Sequence, residues 1–284
     1  VSGSRRLPTA RPQLADASSE AIIPRATYRL QFNSDFTFAQ ATELLPYLDE
    51  LGISHCYASP YLKARRGSRH GYDIVDHTRL NPEIGSDDDF RRFVAALKGR
   101  GMGQILDLVP NHMGVMGADN AWWLDVLENG RASTYADYFD IDWQPANPRT
   151  HGKVLLAVLA DHYGAILCRG DIRLSFERDS GSFVLNYFQH RLPIDPATYG
   201  RILTHRLATD FADDDGRRVE LQALAADFSR LPSRSHTSAA RIAERRRNKT
   251  IYQRRLADLC AASPIVANHV VVVVDRLNGR AGDA

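Results

Sequence analysis

Three short clusters hold the residues whose types and spacing can do chemistry. They are Tyr28-Arg29-Leu30-Gln31, His70-Gly71-Tyr72-Asp73 and Asp107-Leu108-Val109-Pro110-Asn111-His112. An aromatic ring beside a carboxylate suits a sugar: the ring stacks on the apolar C–H face while the acid accepts from hydroxyls. A neutral histidine donates to a primary hydroxyl without adding charge. Each cluster also has a plainer reading. Tyr72-Asp73 after Gly71 fits a turn. Asp107 reads as a buried structural acid bonded to neighbouring backbone rather than as a catalytic group. His112 after Asn111 fits a cap on the next segment. Trp122 and Trp123 are adjacent, so on a helix one packs inward while the other faces a cleft, with core packing the default. No HExxH, CxxC or GxSxG occurs, so there is no case for zinc or a serine nucleophile.

The elements that must position these clusters follow from periodicity. Thr27–Phe32 alternates in β-rich composition and reads as a strand. Thr37 and Gln40 form a capping box, and Ala41, Leu44, Leu45, Leu48 and Leu51 make one apolar helical stripe ending at Gly52. Pro46 inside the stripe is expected to kink the helix. Ile53–Ala58 reads as a second strand, 59–85 as a polar loop, and Ser86 as the cap of a second helix whose face is Phe90, Phe93, Val94 and Leu97. Gly103–Val109 reads as a third, buried strand with Asp107 embedded in it. Strand, helix, strand, helix, strand is the signature of a parallel sheet. Gln31-Phe32-Asn33 stands where a nucleotide-binding sheet carries its glycine-rich loop, which favours a closed (β/α)8 barrel with its site at the strand ends.

After Pro110 the alternation stops. Residues 115–200, with strand-like pieces at Lys153–Leu159, Ile172–Phe176 and Phe183–Tyr187, read as a β-containing insertion. From about 201 the chain is Arg-rich and helical, notably over Ala239–Leu259, and 264–277 fits either a strand or a helix. The expected domains are thus a disordered leader (1–23), three βα units of a barrel (24–114), the inserted subdomain (115–200) and its helical extension (201–284).

Composition bounds the function. With 36 Lys+Arg against 34 Asp+Glu the net charge is +2, which argues against a dedicated nucleic-acid binder. The basic stretch Arg230–Arg255, nine Lys/Arg against Glu244 alone, reads as a solvated helix face or a docking surface rather than an RNA site. The longest apolar runs, Val154–Ala160 and Val270–Val274, are far short of a membrane span. Cys56, Cys168 and Cys260 are odd in number and widely spaced, which fits a reduced, cytoplasmic protein.

Together the motifs resemble the maltooligosyltrehalose synthase family of the α-amylase superfamily (glycoside hydrolase family 13). The resemblance rests on Ala26–Gln31, Tyr47–His55, Gly67–Asp73, Asp107–Met113, Trp122–Gly130 and Tyr138–Trp143. The Trp-Trp-x-Asp-Val-Leu-Glu-Asn-Gly run is more specific to the synthase than Asp-x-Val-x-Asn-His. The resemblance implies an intramolecular transglucosylase that converts the reducing-end α-1,4 bond of a maltooligosaccharide into an α,α-1,1 trehalose linkage. It also implies that Tyr72 stacks on the sugar, Asp73 supports that wall and His112 bonds the primary hydroxyl. Gln31 and Asn111 complete the implied sugar site, Asn111 as scaffold. No cofactor or metal is implied, although in calcium-dependent amylases the asparagine matching Asn111 helps hold the ion. The family's nucleophile lies in an Arg-Ile-Asp-His type motif after the fourth barrel strand, and no such motif occurs here. The chain is therefore expected to be a fragment, inactive alone, whose partners are the maltooligosaccharide and the missing C-terminal part of the same enzyme, with neither nucleic acid nor membrane. The other readings are an amylase-type hydrolase or glucanotransferase, and a non-catalytic sugar-binding module.

Overall fold

A computed structural model describes residues 23–279, so the expected leader lies, but for its last residue, outside them. The described chain divides into two compact units. The first runs to Leu62 and adds Gly67–Tyr72 and Arg79–Pro110; the second takes Lys63–Arg66, Asp73–Thr78 and the chain from Asn111 onward.

In the first unit, β1 (Thr27–Leu30), α1 (Phe38–Glu50) and β2 (His55–Ala58) come in order. β3 (Leu62–Ala64) and β4 (Ile74–Leu80), most of whose residues fall in the second unit, pair as a two-stranded sheet. The expected polar loop over 59–85 is thus corrected: short chain-adjacent segments pair there, and the polar run Asp76-His77-Thr78-Arg79 on both faces of β4 leaves no apolar alternation to read. Next come α2 (Asp87–Gly99) and β5 (Gly103–Leu106). β1, β2 and β5 form a parallel sheet with β2 in the middle. The alternation of a strand sends Leu30, Cys56 and Ala58 to one face. There they join Phe38, Leu45, Leu48, Phe93 and Leu97 of the two helices in one buried core. Both helix starts are held by side chains: Gln40 Oε1 accepts the Thr37 N–H at 2.8 Å, and Ser86 Oγ accepts from Asp89 N–H at 3.2 Å.

The second unit holds α3 (Ala121–Asn129), α4 (Tyr163–Arg169) and an antiparallel sheet of β6 (Ile172–Glu177), β7 (Ser182–Tyr187) and β8 (His190–Pro193). It continues with α5 (Tyr199–Leu203), α6 (Leu207–Asp210), α7 (Gly216–Ser229), α8 (Ala239–Ala262) and α9 (Pro264–Asn278). Leu174 and Phe183 of the sheet join Leu221, Leu224, Phe228, Leu256, Val266 and Val270 in its core. The ambiguity over 264–277 resolves to helix. Ser263 caps it, Pro264 opens it, and Val266, Val270, Val273 and Val274 share its buried side. Tertiary burial has overridden the strand propensity of a valine run. Lys153–Leu159, expected to be strand-like, forms no strand, because no segment among the described residues pairs with its backbone.

No single helix among the described residues is long and apolar enough to cross a membrane.

Candidate active site

The parallel register sets Arg29 of β1 beside Tyr57 of β2, both on the face opposite the helix core. The Arg29 guanidinium lies over the Tyr57 ring, 4.4 Å from its centroid. β5 ends at Leu106, so Asp107 stands just past the strand rather than within it. Its Oδ2 accepts from Arg29 Nη1 at 3.1 Å, from the Tyr57 hydroxyl at 3.3 Å and from the Tyr72 hydroxyl. Arg29 Nη2 in turn donates to the Tyr72 oxygen at 2.6 Å. The reading of Asp107 as a buried acid bonded to backbone is therefore corrected. It is a half-buried hub for three side chains, because the strand ends there and its side chain meets those of two neighbouring elements.

The hydrogen bond from Tyr72, opposed by partial burial and helped by Arg29, holds the Asp107 carboxyl below its usual range. The same bond and burial raise the Tyr72 phenol, against the pull of Arg29. Burial lowers the Arg29 guanidinium, but the bonds to Tyr72 and Asp107 leave it raised. At neutral pH Asp107 is thus an anion and Tyr72 a neutral phenol. The Tyr72 hydroxyl gives its proton to Asp107 and receives one from Arg29. The arrangement fixes a ring; it is not poised to move protons.

The turn that carries Tyr72 is itself braced. Gly71 adopts φ +79°, and a Cβ there would sit 3.1 Å from the Pro60 carbonyl oxygen, so glycine is required. Gly71 N–H donates to Ser68 Oγ at 3.1 Å and Tyr72 N–H to His70 Nδ1 at 3.0 Å. Gln31 Nε2 donates to the His70 carbonyl at 2.8 Å, so this residue steadies the loop two positions before Tyr72. Tyr72 thus stands at the end of a braced turn, as the sequence suggests.

Asp73, Asn111 and His112 belong to the second unit. The Asp73 carboxylate lies 3.5 Å from Arg65 Nε, and its carbonyl accepts the Arg65 N–H at 3.0 Å. Gly114 N–H donates to the Ile74 carbonyl at 2.8 Å, tying the segment after His112 to the strand that Asp73 begins. His112 Nδ1 lies 3.0 Å from Asn111 Oδ1, and both residues are exposed. Thus Tyr72 and Gln31 share one bracing system and Asp73 and the Asn111–Gly114 segment another. Among the described residues no group of three or more His, Cys, Asp or Glu is placed to hold a metal ion.

Arg29 lies in the first of the three clusters but was given no role of its own, and Tyr57 was not singled out in the sequence. The available signal was a polar residue at the same rung of two short parallel strands. A second correction concerns the basic stretch. Arg245 is 1% exposed and donates to Asn129 Oδ1 at 3.1 Å, the Pro232 carbonyl at 2.7 Å and Asp195 at 2.7 Å. Lys249 Nζ donates to Glu128 at 2.6 Å. Inward members of the stretch are thus spent on acids and amides of the second unit, including two residues of the Trp122–Gly130 motif. Of the two adjacent tryptophans, Trp123 is buried against Phe139 and Trp122 stacks on Tyr135.

Comparison with known proteins places these residues in context. The alpha amylase, catalytic domain, family profile matches residues 37–193, more than half of the chain. The chain is 45% identical over 170 residues to a putative maltooligosyl trehalose synthase of Mycobacterium tuberculosis, a match covering 55% of the chain and 22% of that protein. It superposes on the structure of maltooligosyltrehalose synthase from Arthrobacter ramosus with a TM-score of 0.54 at 41% identity, covering 62% of this chain and 22% of that one. An intracellular maltogenic amylase of Bacillus subtilis is 39% identical over 97 residues, 34% of the chain and 16% of the relative. The chain therefore spans about a fifth of the length of the synthases it matches.

Proposed function

The chain belongs to the alpha-amylase catalytic-domain family, and on that premise we propose that it is part of a maltooligosyltrehalose synthase. The reaction proposed is intramolecular transglucosylation, in which the reducing-end α-1,4 bond of a maltooligosaccharide becomes an α,α-1,1 linkage. The observation that carries the reading is the reach of the synthase match: 170 residues at 45% identity, against 97 at 39% for the amylase. The alternative, an amylase-type hydrolase or glucanotransferase, is favoured only by the family match that both readings share.

In this reading β1, β2 and β5 are the first strands of a (β/α)8 barrel, and the segment from about 115 is inserted after the third. Tyr72 offers its ring to a glucosyl unit while Arg29 and Asp107 hold its hydroxyl. Asp73 backs that wall, His112 bonds the primary hydroxyl, Gln31 braces the loop and Asn111 supports His112. A retaining reaction needs a nucleophile and an acid/base roughly 5–5.5 Å apart. These carboxylates are proposed to lie outside the 284 residues, so the chain alone binds but does not convert. The test is maltopentaose added to the chain by itself. Saturable binding that loses one site in Tyr72→Ala, with reducing ends unchanged in number, supports this division of labour. Turnover by the chain alone, or binding indifferent to Tyr72, overturns it.

A further inference from the structure

Within the second unit, a cavity of about 490 Å³ opens beside α3, lined among others by Trp123, Asp140, Asp142, Thr150, Lys153 and Leu155. Its composition is unusual for a gap between packed elements. One wall is indole and aliphatic, while Asp140 and Lys153 are exposed and make no ion pair or side-chain hydrogen bond among the described residues. The adjoining segment 154–159 is the longest apolar run in the chain, yet none of its backbone groups makes a hydrogen bond among the described residues. Leu155 on its rim is 89% exposed. Residues 154–159 are all partly or fully exposed, so their backbone donors and acceptors are open to a ligand's hydroxyls beside the apolar Leu155 side chain.

We infer that this cavity binds a segment of an α-1,4-glucan, a second sugar site built wholly within the inserted part of the chain. The inference rests on the α-glucan chemistry proposed above. A glucan has the matching alternation: apolar C–H faces for Trp123 and Leu155, and rows of hydroxyls for Asp140, Asp142, Lys153 and the unpaired amides of 154–159. Cavities of roughly 300–1,000 Å³ hold small ligands of this kind, and the opening lets a longer chain extend beyond it. The acids accept from hydroxyls and the ammonium donates to them, so neither charge needs a charged ligand. A protein segment would need both a cation and an acid placed against Asp140, Asp142 and Lys153, whereas hydroxyls, which donate and accept, meet both signs, which is why the sugar is preferred.

The test is hydrogen exchange of the whole 284-residue chain with maltopentaose, cellopentaose or no sugar. Maltopentaose is expected to slow exchange of the amides of 154–159. The double variant Asp140→Ala/Lys153→Ala, both exposed positions that leave the core intact, is expected to abolish that protection and weaken binding at this site about tenfold. Protection in Tyr72→Ala should persist, which separates this cavity from the Tyr72 site. No protection by maltopentaose, equal protection by cellopentaose, or protection that survives the double variant overturns the inference. Should the synthase reading itself fail, through hydrolytic rather than mutase products, protection of 154–159 by maltopentaose still supports the cavity as a glucan site.

Discussion

Replacing Asp107 by asparagine keeps the shape of the strand-end hub and removes its charge. In the native protein one carboxylate oxygen accepts from Arg29 at 3.1 Å, from Tyr57 at 3.3 Å and from Tyr72. A hydrogen bond to a charged group contributes about 1.5–3 kcal/mol, but an amide oxygen retains part of it. The Arg29 and Asp107 side chains are 33% and 24% exposed, so water also replaces part of the ion pair. Asp107→Asn is therefore expected to destabilise the first unit by about 1–2 kcal/mol at pH 7. The pH dependence has a definite sign. The folded Asp107 carboxyl is depressed, first by Tyr72 and then, against burial, by Arg29. A depressed carboxyl adds stability that is present above its unfolded pKa of about 3.9 and lost as pH falls through the folded value. The gap between wild type and variant should hold from pH 7 to about 5 and narrow progressively below about 4. Urea unfolding at stepped pH reads it directly. Equal stability at pH 7, or a gap that does not narrow as the pH falls below about 4, would refute the placement of charge at this hub.

Other expectations follow from single contacts. A Cβ on Gly103 would lie 2.4 Å from His55 Nε2, so Gly103→Ala should cost about 1–3 kcal/mol, and His55→Ala added to it should restore part of the loss. Arg245→Met leaves the Asp195 carboxylate and the Pro232 carbonyl without their buried cation and should cost about 3–5 kcal/mol by urea unfolding, against near neutrality for the exposed Arg247→Met. Burial raises the thiols of Cys56 and Cys260 to about 11, whereas Cys168 is exposed. Iodoacetamide at pH 8 should label Cys168 alone until denaturant is added, and mass spectrometry of the peptides shows which site reacts.

The first unit was legible in sequence because its signals are local. The Gln40 and Ser86 caps, the stripes of α1 and α2 and the short β-rich runs each lie within one window. What resisted reading was set by distant partners. In β4, which pairs with β3, a run of four polar residues on both faces leaves no apolar alternation to read. Val270–Val274 took its helix from the core it packs against, and Lys153–Leu159 had strand composition without a partner strand. Arg245 and Lys249 looked like solvated charges because Asn129, Asp195 and Glu128, which receive them, lie 116, 50 and 121 positions away. In the site the same holds. Tyr72 and Gln31 were visible as residue types, but that Arg29 and Asp107 hold the Tyr72 hydroxyl, with Tyr57 on the same carboxylate, depends on the parallel register.

The proposed function makes this sequence part of a glucan mutase rather than of a hydrolase. The most direct measurement is to read its gene through, incubate the encoded protein with maltopentaose, and count reducing ends and free sugars in the same samples. The account predicts that reducing ends disappear while chain length is kept and an α,α-1,1 linkage appears, and that Tyr72→Ala slows this conversion. Free glucose or maltose as the main product, with reducing ends increasing, would contradict it.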